Sequence, residues 1–348
     1  MAGFAGYDMP ISYPTGAIEE HGITRRSVGL FDIDHMGQFE ISGPSAESFV
    51  SRMVSARISD LRVPMSRYSL LLNEEGCVLD DLFVYRLPKS WWIVVNASNR
   101  ETDLAWLKSK ASPGVQIDDR SDETYMIAVQ GPKAIQLLDA LATLPVSATE
   151  RFGWCKTEIT GVPILFGRTG YTGEDGGELF FPAEKALYLW EYILNRASEL
   201  GIEAKAIGLA ARDSLRFEAG MPLHGHEIST SINALEAGFK WACDFTKDFI
   251  GKTALKAIAT RGLARKLIGL EVSGGVPREG YKVADNQGRV VGSCVAGMFC
   301  PSVKKYAANA FVEPGMANPG TALKVIIRGQ PKDAMVVKRP LYIPAYRR

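Results

Sequence analysis

Histidine and cysteine are both scarce in this 348-residue chain, with four of the first and five of the second. Cys77, Cys155, Cys243, Cys294 and Cys300 are odd in number, widely spread and without a C-x-x-C pair. That pattern excludes a disulfide framework and reads as reduced thiols in a reducing compartment. Only His224-Gly-His226 brings two histidines together, and no third ligand lies nearby, so no metal is expected there. Neither sign of charge is in excess: 40 Lys+Arg face 39 Asp+Glu, a net +1. A dedicated nucleic-acid binder would carry a basic stripe, and none is present. No apolar run approaches the ~20 residues that a membrane-spanning helix needs. The first ten residues, MAGFAGYDMP, have neither the basic flank nor the apolar core of a secretory signal. A cytoplasmic protein acting on neither nucleic acid nor membrane is expected.

The rest of the composition, 46% hydrophobic and 23% charged, is that of an ordinary globular chain long enough for two or three domains. Residues 44–54 read as a helix. A β-meander follows from Tyr68 to Ser98: YSLLLN, a turn at Glu74-Glu75-Gly76, CVLDDLFVYRL, a second turn and WWIVVNAS. Residues 101–111 read as a helix with acids first and lysines last, the order favoured by the helix dipole. TYMIAVQ (124–130) is a strand, and Gly131-Pro132 opens a helix. A second round is expected: strands near 154–167, a glycine-rich turn, a strand near 178–181 and a helix over 183–200. That helix places Leu187, Trp190, Ile193, Leu194 and Ala197 on one face. Residues 205–219 read as another helix, capped at Gly220. ALKAIATRGLARK then reads as a helical connector, and from Leu267 onward short strands and turns predict a small all-β domain.

Asp80 and Asp81 lie inside a predicted strand, where alternation sends Val78, Asp80, Leu82 and Val84 to one face and Leu79, Asp81, Phe83 and Tyr85 to the other. The two carboxylates therefore do not form an acid/base pair in one site. Both faces are otherwise apolar, and a buried charge is costly unless paired or used. Asp81, on the aromatic-bearing face, is the better functional candidate; a strand-end acid or an Arg partner is the alternative. Arg168 to Glu178, RTGYTGEDGGE, is glycine-rich but is not a P-loop. Its acids Glu174, Asp175 and Glu178 would repel phosphate. They suit a ligand edge rich in N–H donors, such as an aminopyrimidine or pterin, with Tyr171 as an aromatic wall, or else are solvated acids of a tight turn. Arg212 and Arg216 stand four apart on one helix, either as a clamp for a carboxylate-bearing ligand or in ion pairs with Asp213 or Glu218.

Taken together, FAGYDMPISY, SVGLFDIDHMGQFEISGP, YSLLLNEEGCVLDDLFVYRL, VVNASNRETDLAWL, AVQGPKA, RTGYTGEDGGE, GLAARDSLRFEAGMPLHGHE, KDFIGKTAL, VPREGYKV and GTALKVIIRG occur in a fixed order over nearly the whole chain. They resemble the aminomethyltransferase (T-protein) family of the glycine cleavage system. The resemblance implies an α+β three-domain cloverleaf: two interleaved ferredoxin-like domains in 1–252, a connector at 253–265 and a C-terminal β-barrel in 266–348. It implies tetrahydrofolate in a central channel, with Asp81 as the catalytic aspartate, Glu178 on the pterin's donor edge and Arg212 toward the ligand's tail. Tyr346 and Arg348 would approach that tail. Met36, Tyr68, Tyr85, Asn96, Phe152 and Tyr171 would line the pocket.

The implied reaction moves a one-carbon unit from the aminomethyl-dihydrolipoyl arm of H-protein, giving ammonia and 5,10-methylene-tetrahydrofolate. Asp81 would orient and stabilise the cationic species as ammonia leaves. Two related classes share the folate site: demethylases or methyltransferases acting on small methylated donors, and non-enzymatic folate-binding proteins of iron–sulfur cluster assembly. The latter carry a K-G-C-x-x-G-Q-type motif, which HGHEISTSINALEAGFKW lacks. This chain departs from the T-protein pattern at His224, usually Tyr. It departs again in VAGMFCPSVKKYAANAFV (295–312), where Val295, Ala296, Met298 and Cys300 replace hydroxyl residues and Lys304 replaces a glycine. Were this stretch to face the channel mouth, a different donor would be expected.

Overall fold

A computed structural model describes residues 1–347. Strand Val28–Asp32 acquires its neighbour Thr124–Gln130 only after the intervening segment has built a sheet of its own. That inserted sheet has five antiparallel strands, in the order Ser66–Leu72, Val78–Arg86, Ser90–Val95, Gly37–Ser42 and Gln116–Asp119. The first sheet has six strands, in the order Trp154–Ile159, Val162–Gly167, Gly176–Pro182, Thr124–Gln130, Val28–Asp32 and Ala204–Ala206. After the helix Lys252–Arg261, six strands between Lys266 and Val337 close into a barrel. The mixed architecture with interleaved sheets and a terminal barrel is the one expected from the sequence.

Period-two patterning explains which faces are buried. Helices Ala134–Leu141 and Ala186–Glu199 cover one face of the six-stranded sheet through Leu138, Leu189 and Ile193 packed on Val129, Ile164 and Phe166. Helices Ala46–Met53 and Arg100–Lys110 cover the five-stranded sheet through Val50 and Leu107 on Phe39 and Ile93. The other faces approach each other: Phe31, Met126 and Phe180 from one sheet pack with Tyr85 and Val94 from the other. Burying a Leu or Phe is worth about 1.5–3 kcal/mol. This shared core therefore fixes the relative placement of the sheets, and with it the space left between them.

Three local expectations need correction. Lys205 is in a strand, not a helix: Ala204–Ala206 pairs in parallel with Val28–Leu30, and the helix spans Leu209–Glu218. Edge pairing overrides the helix propensity of Ala-Lys-Ala, which is only a weak preference. The helix does end at Gly220, whose φ of +72° lets the Met221 N–H reach the Arg216 carbonyl at 3.0 Å. Leu187 is 69% exposed, and Leu189 takes its place in the core. At about 100° per residue Leu187 lies roughly 120° from Ile193, off the buried stripe. Finally, Leu71 pairs with Asp80 while Leu72 pairs with Val78, so Leu79 is the extra residue of a β-bulge. Its side chain packs with Leu82 and Val84 instead of alternating away from them.

Candidate active site

Between the two sheets, the glycine-rich turn and the segment after helix Leu209–Glu218 lies a cavity of about 650 Å³. Asp81, two residues beyond the bulge, points into it from strand Val78–Arg86. Its Oδ2 accepts a hydrogen bond from the Tyr68 hydroxyl at 3.0 Å, and its Oδ1 one from Asn96 Nδ2 at 2.8 Å. Burial, and then the charge of Asp80, push the Asp81 carboxyl up to about 7, while Tyr68 and Asn96 oppose the rise. The two aspartates do face opposite sides of the strand. They are nevertheless joined, because the same Asn96 Nδ2 also donates to Asp80 Oδ1 at 2.8 Å.

The glycine-rich turn separates its three acids. Gly176 has a φ of +134°, and a Cβ there would stand 2.2 Å from the Val129 carbonyl oxygen, so only glycine lets the turn lie against the neighbouring strand. Glu174, buried at the cavity wall, pairs with Arg25 at 2.9 Å. Asp175 takes a two-pronged bond from Arg168, at 3.0 and 2.7 Å. Glu178 lies within strand Gly176–Pro182 and faces the cavity without an ion-pair partner among the described residues. Its Oε2 accepts from the Thr169 hydroxyl at 2.5 Å. Burial pushes its carboxyl upward, against the pull of Thr169 and of the Arg212 charge. The donor-edge argument therefore applies to one acid of the three.

The two arginines separate in the same way. Arg216 is 1% exposed and committed to structure: Nη1 meets Glu227 at 2.9 Å and Nε meets Asp213 at 2.8 Å. Arg212 lines the cavity, stacks 4.8 Å above the Tyr171 ring and has no ion pair among the described residues. Its charge, after burial itself, pushes the neighbouring His35 imidazole down to about 3, so that ring is neutral at physiological pH. A stability difference follows. Arg216→Ala is expected to cost about 3–5 kcal/mol, because it strands buried Glu227. Arg212→Ala is expected to lose about 1 kcal/mol of stacking or less. Urea denaturation of the two variants measures the contrast; equal losses would refute the assignment.

The GCVT N-terminal domain family model matches residues 1–247, and that of the glycine cleavage T-protein C-terminal barrel domain matches 265–342. The chain belongs to the aminomethyltransferase family. It is 43% identical over 359 residues to an aminomethyltransferase of Symbiobacterium thermophilum, spanning 100% of this chain and 95% of the relative. A second aminomethyltransferase, from Herpetosiphon aurantiacus, is 43% identical over 352 residues, with 100% and 96% coverage. The crystal structure of glycine cleavage system aminomethyltransferase T from Bartonella henselae superposes with a TM-score of 0.91 at 33% identity, over 99% of this chain and 94% of that one.

Most of the T-protein residues expected at the pocket do line this cavity: Met36, Tyr68, Asp81, Asn96, Phe152, Tyr171, Glu178, Arg212 and Tyr346. Tyr346 anchors itself by donating to the Gly173 carbonyl at 3.0 Å. Arg348 lies outside the described residues. Tyr85 does not reach the lining; it is fully buried behind Glu178, with its hydroxyl 2.8 Å from Thr169 Oγ1. Sequence reasoning missed Trp241, Phe239, Arg151, Arg347 and His35. Trp241 is 69% exposed yet stacks on Tyr68 with ring centroids 5.4 Å apart. Only spatial proximity to Tyr68 reveals it.

The departures from the T-protein pattern also find their places. His224 and His226 both line the cavity, and His226 Nδ1 sits 2.8 Å from the Val295 carbonyl oxygen. No residue of 295–312 is itself on the lining, and the stretch meets the cavity wall through the Val295 carbonyl behind His226. Lys304 has a φ of +55°, the left-handed conformation that favours the glycine usual there.

Proposed function

We propose that the cavity binds tetrahydrofolate and that this enzyme transfers an aminomethyl-borne one-carbon unit to it from lipoylated H-protein, releasing ammonia. One observation carries the reading. Four carboxylates line the cavity; Glu174 and Asp175 are neutralised by Arg25 and Arg168, and Asp81 and Glu178 have no ion-pair partner among the described residues. A pterin presents adjacent N–H donors that match the two oxygens of a carboxylate, which suits Glu178. Arg212 suits the acidic tail of the same ligand, with Tyr171 and Met36 as apolar walls, and Arg348 is assigned to that tail as well.

Bound tetrahydrofolate supplies the nitrogen atoms that accept the one-carbon unit. Asp81 supplies negative charge where positive charge develops on the donor's aminomethyl group as ammonia departs. Tyr68 and Asn96 hold both of its oxygens beforehand, so the carboxylate needs no reorientation during the reaction. The neutral His35 adds no competing positive charge to the site.

The direct test is a single turnover with tetrahydrofolate and aminomethylated H-protein, reading ammonia and the folate product together. One ammonia per 5,10-methylene-tetrahydrofolate formed is expected. Tetrahydrofolate binding without ammonia release would overturn the aminomethyl donor and point to a small methylated compound in its place.

A further inference from the structure

Behind Asp81 lies a second acidic centre that the proposed chemistry does not use. Asp80 is 0% exposed and Asp103 1% exposed, and no Lys, Arg or His faces either closely enough to pair among the described residues. The chain leaving strand Ser90–Val95 wraps around Asp80. Asn96 donates to it twice, from its backbone N–H and from Nδ2, both at 2.8 Å. Asn99 Nδ2 adds a third bond at 2.7 Å, and Asp103, one turn into helix Arg100–Lys110, brings its carboxyl within hydrogen-bond reach.

Two buried carboxyl groups in contact, without a cation, attract each other only when at least one of them holds a proton. Three N–H donors converge on Asp80, and donors favour the ionised form, so Asp80 is the anion. Asp103 is the acid that donates to it. Burial and the Asp80 charge push the Asp103 carboxyl up to about 10.

The ionised Asp80 has two consequences for Asp81. Asn96 Nδ2 spends one hydrogen on Asp80 Oδ1 and the other on Asp81 Oδ1, both at 2.8 Å. A flipped amide would set its carbonyl oxygen against two carboxylates, so the Asp80 charge fixes which way Asn96 points. Asp80 also acts on Asp81 directly, by like-charge repulsion.

We propose that Asp103 and Asp80 are positioning residues for Asp81: a proton retained on Asp103 keeps Asp80 ionised, and that charge locks the Asn96 amide that holds Asp81 and repels the Asp81 charge from the far face of the strand. The inference rests on Asp81 being the charge that turnover requires. The titratable groups facing Asp81 are Tyr68 from strand Ser66–Leu72, Asp80 on its own strand, Asp103 from helix Arg100–Lys110 and Tyr171 from the glycine-rich turn.

The sign of the pH effect is definite. Asp81 must be ionised, so wild-type turnover rises with pH through an acid limb near 7. Asp80→Asn removes the like charge, lowers the Asp81 proton affinity and moves that limb down by about one pH unit. Asp103→Asn keeps an N–H donor toward Asp80 and leaves Asp80 charged, so the limb stays in place. A structural role alone would lower turnover without moving the limb.

The experiment is the pH profile of single-turnover ammonia release for wild type, Asp80→Asn, Asp103→Asn and Asp81→Asn, with tetrahydrofolate binding as the check on folding. An infrared difference spectrum accompanies it. A protonated carboxyl band persisting at about pH 8 in wild type, and absent in Asp103→Asn, reads the retained proton without needing Asp80→Asn to fold. Absence of that band, or a limb that moves in Asp103→Asn and not in Asp80→Asn, overturns the inference. If Asp81→Asn is inactive while folded Asp80→Asn keeps the wild-type limb, the catalytic reading stands and the positioning role falls. A turnover-competent Asp81→Asn sinks the catalytic reading, and the positioning role with it, whatever the band shows.

Discussion

Asp81→Asn is expected to lower single-turnover ammonia release by about two to three orders of magnitude while leaving the tetrahydrofolate dissociation constant within about threefold of wild type. The substitution preserves shape and most contacts. The amide oxygen accepts from Asn96, and the amide nitrogen donates to the Tyr68 hydroxyl, whose roles with the carboxylate are 2.8 and 3.0 Å bonds. What disappears is the charge. A stabilising charge in a water-poor cavity is worth far more to the transition state than to a bound neutral ring, which is why rate and affinity should separate. Stopped-flow ammonia release with equilibrium binding tests the separation. Parallel losses of rate and affinity would show that Asp81 is a binding group.

Glu178→Gln is expected to do the reverse. Hydrogen bonds to a charged group contribute about 1.5–3 kcal/mol, so losing the carboxylate should weaken tetrahydrofolate binding by roughly 10- to 100-fold. In the ligand-free protein the effect on stability has the opposite sign. Burial raises the Glu178 carboxyl above its unfolded value, so the folded state holds its proton more tightly than the unfolded chain does. Stability from this group is therefore fully present below the unfolded pKa and is lost as pH rises through the folded one. Above the folded value the buried charge is a burden, and the neutral glutamine relieves it. Melting curves should show a ligand-free variant at least as stable as wild type, with a much smaller shift on adding tetrahydrofolate. An undiminished shift would remove Glu178 from the pterin's donor edge.

The division between what was legible in the sequence and what was not follows the range of the interactions. The meander, the facing of Asp81 and the Gly220 cap are local consequences of alternation and backbone conformation, and the structure has them as read. The edge strand at Lys205 and the bulge at Leu79 depend on a partner strand, which a one-dimensional pattern does not contain. The same holds for charge. RTGYTGEDGGE presents three acids of equal chemical standing, and only the distant Arg25 distinguishes Glu174, as the local Arg168 distinguishes Asp175, from Glu178. Arg212 and Arg216 share a helix face, yet Glu227 claims one and leaves the other to the cavity. Trp241 carries no motif at all and becomes visible only once Tyr68 lies under its ring. The connection between Asp80 and Asp81 was hidden by the alternation rule itself, since an asparagine from the next strand's end reaches around to both faces.

The inserted sheet has a consequence for the order in which the site comes into being. Every strand of the Asp81-bearing sheet has been synthesised by residue 119, whereas Glu178 and Arg212 lie further along the chain. Chains emerge at about 5–20 residues per second, and domains fold as units while they do so. The half of the site that carries the reactive charge can thus mature on the ribosome before the half that recognises the ring has been made. Meanwhile Val28–Asp32 waits with unsatisfied backbone on both edges, since both of its partners arrive later. An unpaired strand of this kind invites wrong pairing. The nascent chain therefore carries this open strand from its synthesis until Thr124–Gln130 arrives, and one open edge until Ala204–Ala206 follows.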